Sequence, residues 1–397
     1  MEKVRLGIIG CGNIGVTHTK NIYKGKCPEI QLAAVADLIP EKLEAIRPLW
    51  QPHRDAGGNE PEPRTFASGE KLIESGCVDA VLVAVPHYGH PAFVIRALES
   101  GLHVMSEKPA GVYTLQVREM IAAANRHPDR VFGMMFNQRT NCVYRKMREI
   151  VKSGELGQIR RTSWIITDWY RPQYYYDSGD WRATWSGEGG GVLLNQCPHN
   201  LDLWQWICGM PAMLDVHMHF GKWHDIEVED DVTAYCEYAN GATGTFITST
   251  GDYPGTNRFE IVCDGGTLVC DKKSLYLSRL DIPIDTYSAT NKTAVFGHPS
   301  STTQPVETDG ENPQHSGVLN AFAGAILRGE PLVADGREGL NGLMISNAMH
   351  LSGWTGRPVT LPFDEQLFYD ELMARVASSR RKSAAGTIGA ADTEGSY

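Results

Sequence analysis

The chain has 397 residues, 42% of them hydrophobic and 21% charged, and a formal net charge of −10 at pH 7. That length exceeds one ordinary core and suits two domains, and the composition is that of a soluble globular protein. The acidic balance argues against a general nucleic-acid binder, which needs a basic face.

From the N-terminus, Met1 to Arg5 run directly into a short apolar stretch at 6–9, too short for a signal-peptide core or a membrane span. No later stretch reaches the ~18 apolar residues of a transmembrane helix. Further buried-type strands are expected at 31–36, 80–85, 103–105 and 131–135, with helical stretches from Pro40 and at 91–99. Continuous apolar strands alternating with helices predict a doubly wound parallel sheet covered on both faces. The pattern then changes. Short strands at 232–238, 244–250, 259–263 and 267–270 follow one another across Gly, Asn and Asp turns, which predicts a largely antiparallel sheet. Val318, Phe322, Ala325 and Ile326 repeat at helical spacing, and 339–354 and 363–378 also predict helices. The expected organisation is therefore an α/β Rossmann domain over 1–125, an α+β domain for substrate and subunit contacts over 126–382, and a disordered tail over 383–397. The nine cysteines are scattered with no C-x-x-C pair, and read as reduced thiols of a cytoplasmic protein.

The strongest motif is Gly10-Cys11-Gly12-Asn13-Ile14-Gly15, which follows the first strand and opens a helix. In that setting the glycines let the backbone turn tightly and approach a pyrophosphate, and the helix N-terminus supplies free N–H groups to the phosphates. Asp37 ends the second strand, 22 residues past Gly15. Its carboxylate suits an adenosine ribose and would repel a 2′-phosphate, which favours NAD over NADP.

Two further segments complete a pattern: Glu107-Lys108-Pro109 after the strand at 103–105, and Pro86 with His90 after the strand at 80–85. Together with the Gly-rich fingerprint and the run from Gly189 to His199 (GGGVLLNQCPH), the chain resembles the glucose-fructose oxidoreductase/inositol dehydrogenase family, Gfo/Idh/MocA. The resemblance reaches to about Leu361. It implies a Rossmann domain followed by a large open sheet whose outer face mediates homo-oligomers, dimers, tetramers or larger. It implies NAD(P)-dependent oxidation or reduction of a secondary alcohol on a sugar or cyclitol. It places Lys108 near nicotinamide and substrate, and His199 on the catalytic histidine. One position departs: where the family commonly has Asp four residues before the histidine, this chain has Asn195, which cannot carry charge. The Asn-Gln-x-Pro-His variant resembles members that oxidise glycosides at C3.

Oxidising an alcohol needs a hydride acceptor and a base for the hydroxyl proton. A neutral histidine suits the base role, and a lysine whose pKa is depressed by burial can polarise the oxygen. His199 as base with Lys108 as polariser is the favoured assignment, and the reverse stands beside it. His87 lies in a loop at the cofactor edge and Asp202 on the face of His199, where it reads as a structural or orienting partner. Two aromatic stretches, 164–171 and 174–182, interleave acids and arginines. From them Asp168, Tyr170, Trp181 and Arg182 are candidate sugar contacts, with Asn195 beside them; the first stretch reads as strand and the second as loop. His217, His219 and His224 have no partner motif for a metal site. The acidic run Glu229-Asp230-Asp231 reads as the solvated start of a strand. A glycosidase with an internal NAD redox cycle and a non-catalytic NAD/sugar sensor remain as alternative functions.

Overall fold

The computed structural model describes residues 3–58 and 60–380; the segment 383–397, expected as a tail, lies outside them. The first sheet has six strands: β1 (Val4–Ile9), β2 (Ile30–Ala36), β3 (Arg64–Phe66), β4 (Ala80–Val83), β5 (His103–Ser106) and β6 (Phe132–Met134). Their order is β3-β2-β1-β4-β5-β6, and every pairing is parallel. β4 is buried at all four positions, because crossover helices cover both faces and leave no polar side. The chain winds from β1 out to β3, then crosses back to β4. The crevice for a ligand therefore opens at the C-terminal ends of β1 and β4, where the strand order reverses.

β6 lies past residue 125, so the first sheet continues beyond the expected boundary. The helix Gln314–Arg328 also returns to this half: Val318, Leu319, Phe322 and Ala323 share a core with Leu6, Ile8, Leu32 and Leu82.

The second sheet has nine strands: β7 (Ile159–Ile166), β8 (Met213–Phe220), β9 (Glu229–Glu237), β10 (Thr243–Ser249), β11 (Asn257–Cys263), β12 (Gly266–Asp271), β13 (Ser274–Leu280), β14 (Ser301–Pro305) and β15 (Val359–Thr360). Their order is β14-β13-β12-β11-β7-β10-β9-β8-β15. All pairs are antiparallel except β7 with β10. Alternation gives one buried face, carrying Trp164, Phe246 and Phe259. Trp164 stacks on Phe259 at 4.3 Å, and Trp204 of the helix Pro198–Cys208 stacks on Phe246 at 5.4 Å. Each phenylalanine so buried contributes on the order of 1.5–3 kcal/mol, and these contacts seat that helix on the sheet. The residues pointing the other way, among them Ile165, Tyr235 and Tyr276, stay exposed. Among the described residues no helix is long and apolar enough to cross a membrane.

Candidate active site

The Gly-rich turn is built as its sequence requires. Gly10 has φ +103°, and a Cβ there would meet the Ala84 carbonyl oxygen at 2.4 Å. A Cβ on Gly15 would meet the Gly10 carbonyl oxygen at 2.1 Å, so the helix Asn13–Tyr23 sits directly against the strand end. Gly12 differs: a Cβ there would meet nothing within 4 Å. The protein itself does not require glycine at 12, whereas a phosphate approaching the first N–H groups of the helix at Asn13 and Ile14 would. Asp37 accepts hydrogen bonds from the Cys11 N–H at 2.8 Å and the Ile39 N–H at 2.9 Å. It therefore ties the end of β2 to the turn, half-buried, beside the exposed side chain of Leu38. This set fits a dinucleotide, with pyrophosphate at the turn and ribose at Asp37.

Lys108 leaves the end of β5 through a cis peptide to Pro109. Its Nζ donates to the backbone carbonyl of Asn195 at 2.8 Å, in the other half of the chain. Burial holds its ammonium below the usual lysine range; Glu107 and Glu188 oppose that, and Arg171 reinforces it. His199 is the second residue of the helix Pro198–Cys208 and is buried. Neither of its ring nitrogens has a hydrogen-bond partner among the described residues. Burial, then the charges of Lys108 and His315, hold its pKa well below the usual imidazole value. A neutral ring with two unspent nitrogens beside a depressed lysine can exchange a proton with a bound molecule.

Several expected contacts turn out otherwise. Glu107, which the resemblance places at the cofactor, is buried and accepts from His18 Nε2 at 2.7 Å, so one of its oxygens is spent inside the protein. Burial pushes the Glu107 carboxyl up, but His18 with His315 and Lys108 outweighs it and leaves the pKa below the usual value. His90 is likewise occupied: its ring nitrogens lie 2.7 Å from the Pro109 and Val85 carbonyls, joining the ends of β4 and β5. Pro86 precedes the turn His87–Gly89, and His87 reaches across to the Glu188 carbonyl at 3.1 Å. Asp202 does not orient His199. It forms a buried two-pronged pair with Arg139, at 2.8 and 2.6 Å.

The acidic run is not solvated. Glu229 and Asp230 are fully buried: Glu229 accepts from the N–H groups of Gly191 and Leu193, and Asp230 from those of Lys222, Trp223 and His224. His224 bridges Asp230 to the Arg171 carbonyl, and His219 lies 3.2 Å from Asp231. Among the described residues no group of three or more His, Cys, Asp or Glu could hold a metal ion.

The second aromatic stretch contains a short helix, Gln173–Asp177, rather than loop alone. Tyr175 is its hub. The Arg182 guanidinium lies 4.5 Å from the ring centroid and donates to the hydroxyl at 2.8 Å. Arg171 lies 5.3 Å from the same ring, and Gln196 donates to the hydroxyl at 3.3 Å. Trp181 stands edge-on to His87 at 5.7 Å. Tyr170 pairs with Tyr253 at the exposed surface, and Asp168 is exposed beside it. Sequence reading does not single out Tyr175, Arg171, His18 or Glu188. For His18 the one signal is its place on the buried face of the fingerprint helix; for Glu188 it is adjacency to the glycine triplet.

Comparison with known proteins gives matches in both halves of the chain. Residues 4–134 match the oxidoreductase family with an NAD-binding Rossmann fold, and residues 144–269 match the GFO/IDH/MocA C-terminal domain. The chain is 28% identical over 209 residues to the rhizopine catabolism protein MocA of Rhizobium meliloti, covering 53% of this chain and 58% of that protein, under two thirds of its length. It is 28% identical over 255 residues to D-glucoside 3-dehydrogenase of Escherichia coli, covering 60% of this chain and 68% of that one. It also superposes on the WlbA dehydrogenase of Bordetella pertussis, solved with NADH and UDP-GlcNAcA, with a TM-score of 0.73 and 26% identity, covering 91% of this chain and all (100%) of that one.

Proposed function

The chain belongs to the Gfo/Idh/MocA family of NAD-binding oxidoreductases, and from that premise we propose that it moves a hydride between a nicotinamide and a secondary alcohol of a sugar, glycoside or cyclitol. The observation that carries this reading is Lys108 within electrostatic reach of His199, the one tethered to Asn195 and the other with both ring nitrogens unspent. When bound, the dinucleotide supplies the hydride acceptor or donor. The Gly10–Gly15 turn holds its phosphates, and Asp37 accepts from the ribose hydroxyls and disfavours a 2′-phosphate, so NAD is the working cofactor. Of the three ammonium hydrogens of Lys108, one is held by the Asn195 carbonyl, which leaves another to donate to the reacting oxygen. His199, neutral at pH 7, takes the hydroxyl proton. His87, Trp181, Arg182 and Tyr175 line the sugar side, and the relation to D-glucoside 3-dehydrogenase makes the C3 hydroxyl of a glycoside the first to try.

Arg171 and Arg182 favour a second form of this reading. Neither has a carboxylate within salt-bridge distance among the described residues, and both lie against Tyr175. Two such guanidiniums suit a sugar bearing a carboxylate or phosphate, and the WlbA dehydrogenase was solved with UDP-GlcNAcA. The chain also associates with copies of itself through the outer face of the nine-stranded sheet. That face carries Arg161 and Arg258 alongside Glu237, Glu260 and Asp271, both signs of charge on one patch, which allows the self-complementarity of a two-fold contact.

The test is a panel of hexoses, glycosides, inositols, uronates and nucleotide sugars with NAD or NADP, read by reduced-nicotinamide absorbance. Turnover with NAD and one sugar class is expected. With that sugar, the acid limb of kcat/KM lies below pH 6.5, because burial and Lys108 keep His199 unprotonated as pH falls through the ordinary histidine range. Silence across the panel from protein that retains bound NAD would overturn the dehydrogenase reading, and turnover with NADP alone would overturn the role of Asp37.

A further inference from the structure

Asn195 stands where a carboxylate would make a charged acceptor beside Lys108. The structure places a carboxylate directly behind it. Glu188, 2% exposed, accepts a hydrogen bond from the Asn195 side-chain amide at one oxygen and from the Ala183 N–H at the other, 2.5 Å away. A carboxylate has no hydrogen to give, so the amide must turn its NH2 towards Glu188. The Asn195 Oδ1 is left over. It has no partner among the described residues, on a half-buried residue whose own carbonyl holds Lys108 Nζ. Ala183 is fixed in a left-handed conformation, φ +54°, with its N–H spent on the same carboxylate, so Glu188 is held from one side while it holds Asn195 from the other.

We propose that Glu188 is the positioning residue of the active site: it locks the Asn195 amide with its oxygen towards the substrate, so that the pair serves as an acceptor at the surface with its charge one residue behind. This rests on the dehydrogenase reading above. A substrate hydroxyl that donates to Asn195 Oδ1 is thereby oriented against Lys108 and His199, and no proton is transferred to the amide. Burial raises the Glu188 carboxyl above its usual value, against the pull of the Arg182 charge and of the N–H groups of Ala183 and Asn195; the acceptor role rests on the two N–H groups that point at it.

The arrangement predicts a reciprocal exchange. In Glu188→Gln, the new amide oxygen keeps the Ala183 N–H and its NH2 faces Asn195. Asn195 must then flip and present NH2 to the substrate in place of oxygen. In Asn195→Asp, two carboxylates meet. In the double variant Glu188→Gln/Asn195→Asp, the amide introduced at position 188 donates to one oxygen of the carboxylate introduced at position 195, and the other oxygen faces the substrate again. Expected values of kcat/KM are roughly 10- to 100-fold down for each single variant, from a lost and inverted hydrogen bond. The double variant is expected to return to within roughly threefold of the unaltered protein, whereas independent losses would multiply. A purely structural role for Glu188 at Ala183 offers no route to rescue from position 195. A Glu188→Gln protein as active as the unaltered one, or a double variant no better than the product of the singles, overturns the proposal. Failure of the dehydrogenase reading looks different, since the unaltered protein then turns over nothing. In that case sugar affinity of the NADH-loaded protein, read by tryptophan fluorescence, carries the same comparison and the same two overturning outcomes.

Discussion

Single residues separate what the fold needs from what the ligand needs. Gly15 and Gly10 are required by the backbone itself, since a Cβ at either would lie within 2.4 Å of a carbonyl oxygen. Gly12 is surrounded by open space. Gly12→Val is therefore expected to leave the melting temperature within about a degree or two and to weaken NADH binding at least about tenfold, or ~1.4 kcal/mol. Gly15→Val should unfold the first domain outright. Equal melting losses in the two variants would remove the argument that Gly12 serves a phosphate. At this scale the sequence is a good guide where chemistry follows from local backbone, as at Gly10, Gly12, Gly15 and Asp37. It is a poor guide for Glu107 and His90, whose polar atoms are claimed by His18, Pro109 and Val85. Those partners lie on other elements, and spacing along the chain does not reveal them.

At the scale of elements, the helix Pro198–Cys208 carries His199 but is anchored by what lies around it. Asp202 and Arg139 are each about 1% exposed as a pair, and Arg139 extends to Glu338 at 2.7 Å, so the helix is tied to two neighbouring turns. Removing Asp202 leaves the buried Arg139 guanidinium with only the partly exposed Glu338 as its counter-charge. Asp202→Ala is expected to cost about 3–5 kcal/mol in urea unfolding, and a loss under about 1 kcal/mol would mean the pair anchors nothing. Upstream, Glu229 gathers the N–H groups of Gly191 and Leu193 and fixes the turn into the helix. The acidic run reads as a solvated strand start because three acids in a row usually are; here Glu229 answers backbone N–H groups of a distant turn and Asp230 those of the turn just before it. Strand types are legible wherever apolar periodicity runs long enough, as in β1, β4, β9 and β10. β14 reads STTQP and is exposed throughout, so no buried face marks it, and β3 has only three residues.

At the scale of the whole molecule, two sheets meet across the site, and the chain is threaded between them more than once. The helix Gln314–Arg328 completes the core of the first sheet from far downstream, a long-range contact that no local pattern announces. The outer face of the second sheet, with Ile165 and Tyr235 exposed at 36% and 39%, is the face proposed above for contact with another copy. Ile165→Glu/Ile247→Glu places carboxylates on adjacent strands there, since Ile247 pairs with Ile165. The double variant is expected to sediment as a monomer while the unaltered protein sediments as a larger species. Identical sedimentation of the two would place the contact elsewhere or abolish it.

The residues proposed to grip the dinucleotide and those proposed to grip the sugar come from different stretches of chain. The first sits in the turn after β1 and at the end of β2. The second is gathered between β7 and the helix Pro198–Cys208, where Arg171, Tyr175, Trp181, Arg182, Glu188 and Asn195 all lie. Mutational drift in that one excursion can retune appetite for new carbohydrates while the coenzyme habit and the scaffold stay under their own, separate selection. Descendants of such a gene would diversify in diet first, and their histories would be written in about thirty residues.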